Sequence, residues 1–82
     1  VTYKVIILKS VQKEARKLPQ KDQRRVAKAI ASLQIDPHRG KQLHGDFEGA
    51  WAVRVWPYRI IYTIHRQTVI VTVLKIGHRQ GV

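Results

Sequence analysis

Residues 51–62 read WAVRVWPYRIIY, and their alternation decides the fold. Successive side chains of a strand point to opposite faces. Trp51, Val53 and Val55 therefore share one face, and Ala52 and Arg54 the other. Beyond Trp56-Pro57 the alternation resumes, with Tyr58, Ile60 and Tyr62 on one face and Arg59 on the other. This is the pattern of a β-hairpin with one apolar face to bury. A two-residue loop at Trp56-Pro57 sets Arg54 directly across from Arg59, and like charges directly opposite in a sheet repel. The hairpin itself supplies no reason for that arrangement.

Upstream, TYKVIIL (2–8) reads as a short strand ending near Leu8. Ser10 is placed to cap a helix whose apolar stripe is Val11, Ala15 and Leu18, and Pro19 stops it. A second helix runs from Gln20 to about Ile35, with Val26, Ala29, Ile30 and Leu33 at helical spacing. Asp36-Pro37 ends it, because the residue before proline avoids the helical region. The glycine-rich polar stretch HRGKQLHGDFEG (38–49) is a loop. The hairpin strands span about Ala50–Trp56 and Tyr58–His65, and Arg66-Gln67 turns the chain. TVIVTVLKI (68–76) is almost continuously apolar, which predicts a central strand buried on both faces and ended by Gly77. The fold class is α+β: an N-terminal strand, a helical hairpin and a three-stranded antiparallel meander (βααβββ), with the helices packed on one face of a four-stranded sheet. Residues 1–82 form a single domain.

Composition narrows the function. A domain this small buries roughly 60–65% of its unfolded surface, so a partner adds to its stability. There is no cysteine, which excludes disulfides and fits the cytoplasm. No apolar run reaches the roughly 18 residues of a membrane span, and no signal peptide is visible. Sixteen Lys and Arg against five acids leave a net charge of +11. From Gly49 onward Arg54, Arg59, Arg66, Lys75 and Arg79, with His65 and His78, face no Asp or Glu. Such an imbalance points to a polyanion or an acidic protein partner. Four histidines at scattered spacings make no metal motif, and no glycine-rich phosphate loop is present, so neither metal nor cofactor is expected.

The apolar faces of the hairpin must meet the helices, so Arg54 and Arg59 project from the opposite face. Lys75, His78 and Arg79 at the end of the last strand are expected to join them, as are Arg39, Lys41 and His44 from the loop. Fixed arginines suit phosphates, since their forks supply charge and geometry together. They would also stabilise a phosphorane-like transition state. Strand arginines can equally do no more than cover a solvated face with their stems. The helix cations Lys13, Lys17, Lys21, Arg24, Arg25 and Lys28 are open to the same two readings. Trp51, Tyr58 and Tyr62 are expected in the core, with Trp56 at a loop tip.

KQLHGDFEGAWAVRVWPYRIIYTI (41–64), followed by TVIVTVLKIGHRQGV (68–82), resembles the RelE/ParE superfamily of bacterial and archaeal toxins. The resemblance rests on Leu43 and Gly45, Trp51 and Arg54, Tyr58-Arg59-Ile60-Ile61-Tyr62, and Gly77-His78-Arg79. KLPQKDQRRVAKAI (17–30) is similar to the family's turn between its first two helices. The resemblance implies a toxin of a type II toxin–antitoxin pair that enters the ribosomal A site and cuts mRNA. The cut it implies is metal-independent attack of a 2′-hydroxyl on the adjacent phosphate. Arg54, Arg59 and Arg79 match the basic catalytic positions; by their charge and placement, Lys13, Lys17, Arg24, Arg25, Lys28, Lys41, His44 and Lys75 are the expected RNA and ribosome contacts. An acidic antitoxin is the implied partner. RelE-type members often carry a lysine where this chain has Ala52, so His78 is expected to take over proton transfer. The ParE branch shares the fold, poisons DNA gyrase and cuts no RNA; its longer helical hairpin contrasts with this compact one. The other alternative is a catalytically inactive basic module that binds only RNA or its antitoxin.

Overall fold

The apolar side of the hairpin is buried in a core that it shares with two helices. The computed structural model describes residues 2–78, of His78 the backbone alone. In chain order the elements are β1 (Lys4–Ile7), α1 (Lys9–Arg16), α2 (Gln20–Ser32), β2 (Lys41–Gln42), β3 (Trp51–Val55), β4 (Tyr58–His65) and β5 (Ile70–His78). They form a five-stranded sheet in the order β1-β5-β4-β3-β2, parallel only between β1 and β5. The expectation of four strands is corrected by β2. Its two residues are polar and exposed, so no alternation announces them. They pair because Gly40 brings the chain against β3. A Cβ at Gly40 would meet the Ala52 carbonyl oxygen and lie 2.6 Å from the Tyr62 hydroxyl.

The core lies between the helices and one sheet face. Val11, Val26, Ile30 and Leu33 meet Val53, Val55, Tyr58, Ile60, Tyr62, Val71 and Val73. Trp51 packs against this cluster half-buried, with His38 edge-on to its indole at 5.2 Å. Fully burying one such apolar side chain contributes about 1.5–3 kcal/mol. Two buried tyrosines also tie the layers together with polar bonds. The Tyr58 hydroxyl donates to Asp22 Oδ2 on α2 at 2.7 Å, and the Tyr62 hydroxyl donates to the Pro37 carbonyl at 2.6 Å. The bond to Asp22, more than burial, raises the Tyr58 pKa above the ordinary tyrosine value. Burial raises that of Tyr62, partly offset by its hydrogen bond with the Gly40 backbone.

Several element ends differ from the sequence reading. Helix α1 starts one residue before Ser10, which therefore does not cap it. Leu8 holds the N-cap position without a side-chain bond, and its carbonyl accepts from the N–H groups of Val11 and Gln12 at 3.0 Å each. The helix ends at Arg16, and Pro19 occupies the N-cap position of α2. Helix α2 ends at Ser32, with turns carrying the chain on through Ile35. The turn before β5 extends from Arg66 to Val69, and β5 runs through Gly77 to His78.

Strand β5 is an inner strand, yet it is not buried on both faces: Leu74 is 37% exposed and Lys75 is exposed. Its apolar composition gave no sign of an irregularity that the pairing reveals. Ile61 pairs with Lys75 while Tyr62 pairs with Val73, so Leu74 is an extra residue, a β-bulge. The bulge lets Val71, Val73 and Ile76 all contact the helix-side core.

Candidate nucleic-acid interface

The sheet face away from the helices is built from cross-strand rows, since residues paired across strands share a face. Lys41 pairs with Ala52, Ala52 with Ile61, and Ile61 with Lys75. In the next row Arg54 pairs with Arg59, and Arg59 with Gly77. The loop at Trp56-Pro57 thus has the two residues that the sequence predicts, and the two arginines stand opposite each other. Both are exposed. Gly77 adds no side chain beside Arg59.

Between the cations lies a small apolar floor of Ala50, Ala52 and Ile61, with Leu43 packed against it. Neighbouring strands are about 4.8 Å apart, so Lys41 and Lys75 bracket this floor at about 14 Å. Without the bulge at Leu74, alternation from Val73 would turn Lys75 toward the helices. The bulge returns it to the face of Arg54 and Arg59. None of the chain's five acids lies on a strand. Among the described residues the ion pairs are Lys17–Glu14 at 3.7 Å and Arg25–Asp22 at 3.4 Å. Lys41, Arg54, Arg59 and Lys75 therefore have no carboxylate partner there. This is a strand-borne set of cations around an apolar floor, suited to the phosphates and ribose of a nucleic-acid strand.

The remaining predicted residues distribute as follows. His44 is exposed and precedes the 3-10 turn Gly45–Phe47. His78 pairs in register with Tyr58, a residue of the helix-side core, one step beyond the Arg59–Gly77 pair, so its register position is off the Arg54–Arg59 row where the sequence reading put it. Arg79 lies outside the described residues. Lys13, Lys17, Arg24, Arg25 and Lys28 are exposed on the helical layer, which covers the opposite side of the sheet. Of these, only Arg25 and Lys28 are brought near a strand arginine. With Ala29, Ser32, Arg39, Val53, Arg54, Val55 and Trp56 they line a groove of about 410 Å³ between α2 and the end of β3. Arg39, expected on the open face, instead meets Lys28 and Trp56 in this groove, because docking brings their three separate segments together.

Comparison with known proteins bears on this geometry. No curated protein matches the chain. A family model described as the ParE toxin of the type II toxin–antitoxin system parDE matches residues 5–82. The structure is similar to one in the toxin–antitoxin complex RelBE2 of Mycobacterium tuberculosis, with a TM-score of 0.87 and 30% identity over 96% of this chain and 100% of that one. It is also similar to one in the archaeal RelE–RelB complex of Pyrococcus horikoshii, with a TM-score of 0.84 and 27% identity over 100% of both chains. The isolated RelE toxin of E. coli shares the fold at a TM-score of 0.76 and 20% identity, over 93% of this chain and 83% of that one. With a family match over nearly its whole length, the chain belongs to the RelE/ParE superfamily of type II toxin–antitoxin toxins.

Proposed function

We propose that the protein is a ribosome-dependent mRNA endoribonuclease, held inactive by an acidic antitoxin. The observation that carries this reading is the open sheet face. There Arg54 and Arg59 are paired across a hairpin, flanked by Lys41 and Lys75, around the floor of Ala52 and Ile61. An RNA strand on this face offers phosphates to the arginine forks and ribose to the apolar floor. Cleavage is attack of a 2′-hydroxyl on the adjacent phosphorus, forming a 2′,3′-cyclic phosphate and expelling the 5′-oxygen of the next nucleotide. The phosphorane gains negative charge as the bond forms, and Arg54 and Arg59 stabilise it more than the ground state. Arg79 and His78 extend the reading by sequence alone, Arg79 as a third cation and His78 as the proton-transfer group.

An anionic ligand also answers the question posed by the hairpin. Repulsion between the arginines is relieved when a phosphate bridges them. The antitoxin proposal rests on the +11 charge and on the relatives solved in RelBE2 and RelE–RelB complexes. A cytoplasmic site of action belongs to the same reading; among the described residues no helix is long and apolar enough to cross a membrane.

A second reading is favoured by the family match, whose description is that of ParE. In it the same cationic face binds DNA gyrase and cuts nothing. Toeprinting of translating ribosomes with the purified protein decides between them. Stops at A-site codons are expected. Intact message together with blocked gyrase supercoiling would replace the nuclease reading with the second one.

A further inference from the structure

The groove between α2 and the end of β3 has no role on the open face. It lies on the helical side of the sheet, and Arg54 lines it from the strand that borders both surfaces. Arg25 and Lys28 stand on α2, and Arg39 reaches the groove from the 3-10 turn Pro37–Arg39. The position of Arg39 is fixed: its guanidinium donates to the Ser32 hydroxyl at 2.6 Å, and that hydroxyl donates to the Ala29 carbonyl at 2.5 Å. Arg25 is partly neutralised by Asp22, whereas Lys28, Arg39 and Arg54 have no carboxylate partner among the described residues. Trp56, at the hairpin tip, also lines the groove and is 53% exposed.

An indole this exposed beside four cations has two physical consequences. It leaves apolar surface in water that a flat, weakly hydrated ring would cover. The cations draw an anionic chain across it. A groove that tracks phosphates with an aromatic platform for bases is how single-stranded nucleic acid is held without regard to sequence. At about 410 Å³ the groove is roomy enough for a nucleotide. An acidic peptide would satisfy the cations, but would not in general supply a flat ring for Trp56.

We infer that this groove is a second binding site for single-stranded RNA, with phosphates on Lys28, Arg39 and Arg25 and a base stacked on Trp56. Arg54 links it to the open face, so one strand that crosses the edge of β3 engages both surfaces. The inference shares with the proposed function the premise of a polyanionic ligand. It requires neither cleavage nor the ribosome.

The test is equilibrium binding of fluorescein-labelled octauridylate to the full chain, followed by anisotropy over a range of salt. The variants are Lys28→Gln/Arg39→Gln, Trp56→Leu and, as a charge-matched control, Lys9→Gln/Arg16→Gln on α1. Each single-strand phosphate contact contributes about 0.7 to the slope of log K against log salt. The groove pair should therefore lower the slope by about 1.4 and the affinity by about tenfold or more. Trp56→Leu should weaken binding about tenfold with the slope unchanged, since stacking releases no counterions. The α1 control should weaken binding less than about threefold. If losing Arg39 disturbs the fold, as circular dichroism would show, Lys28→Gln alone decides, with an expected slope change of about 0.7. Equal weakening by the groove and control pairs would overturn the inference. So would tighter binding of deca-glutamate than of octauridylate, lost in the groove pair, which would assign the groove to an acidic protein. Absence of A-site cleavage with groove-dependent RNA binding intact would count against the proposed function alone.

Discussion

Neutralising either arginine of the Arg54–Arg59 pair should make the protein more stable while making it inactive. Directly opposed residues have Cβ atoms about 5 Å apart, and like charges so placed are destabilising by about 0.2–1 kcal/mol. At a guanidinium separation of about 6 Å in the dielectric of water, Coulomb's law gives about 0.7 kcal/mol. Both side chains are exposed and can splay apart, so about 0.2–0.7 kcal/mol is the working range. Arg54→Gln and Arg59→Gln should each raise the urea unfolding free energy by that amount at low ionic strength. The double variant should be no more stable than either single one, because the repulsion is already gone after the first change. In 1 M salt the Debye length falls to about 3 Å and the gain should vanish. Single-turnover cleavage on programmed ribosomes should fall about 100-fold for each, the usual cost of removing one electrostatic stabiliser of a transition state. Salt-independent loss of stability in both single variants, with cleavage at the wild-type rate, would overturn this expectation. That result would mean that the arginines serve the fold by covering the sheet with their stems.

Gly40→Ala should destabilise the protein by about 1–3 kcal/mol, the usual cost of overpacking, since its Cβ would collide with the Ala52 carbonyl and the Tyr62 hydroxyl; an unchanged urea midpoint would contradict the packing described for β2. Tyr58 and Tyr62 both have raised pKa values in the folded state. The unfolded chain therefore loses these protons first, from about pH 10, and the folded chain holds more of them. Stability from this source should be constant below pH 9 and decline as pH rises through 10 toward the folded values. Tyr62→Phe should make the decline shallower and cost about 1–3 kcal/mol at neutral pH by leaving the Pro37 carbonyl unsatisfied; pH-dependent urea titrations check both effects. His78→Ala should slow single-turnover cleavage about 100-fold, within the range of general acid–base groups. A wild-type pH–rate profile flat from pH 5 to 8, with the variant equally active, would remove His78 from the mechanism.

Local strand pairing is legible in the residue pattern alone. Period-two alternation and a two-residue loop leave one register for β3 and β4, because a one-residue slip would move every buried side chain to the wrong face. That sufficed to set Arg54 opposite Arg59 and to divide Trp51, Val53, Val55, Tyr58, Ile60 and Tyr62 from the open face. The helical stripe of α2 was legible for the same reason, since Val26, Ile30 and Leu33 recur at the spacing that buries one side of a helix. Features that depend on distant segments meeting arise from packing. Strand β2 has no apolar pattern and exists because Gly40 admits β3 at close range. The bulge at Leu74 is invisible in a continuously apolar run, where either face is equally acceptable to each residue. It is fixed by Val73 and Ile76 both reaching the core, and it carries Lys75 to the open face. The groove is likewise a product of docking. Lys28, Arg39, Arg54 and Trp56 converge only when α2 settles on the sheet, and where a helix settles depends on how its side chains interlock with those beneath it, which periodicity within one segment does not encode.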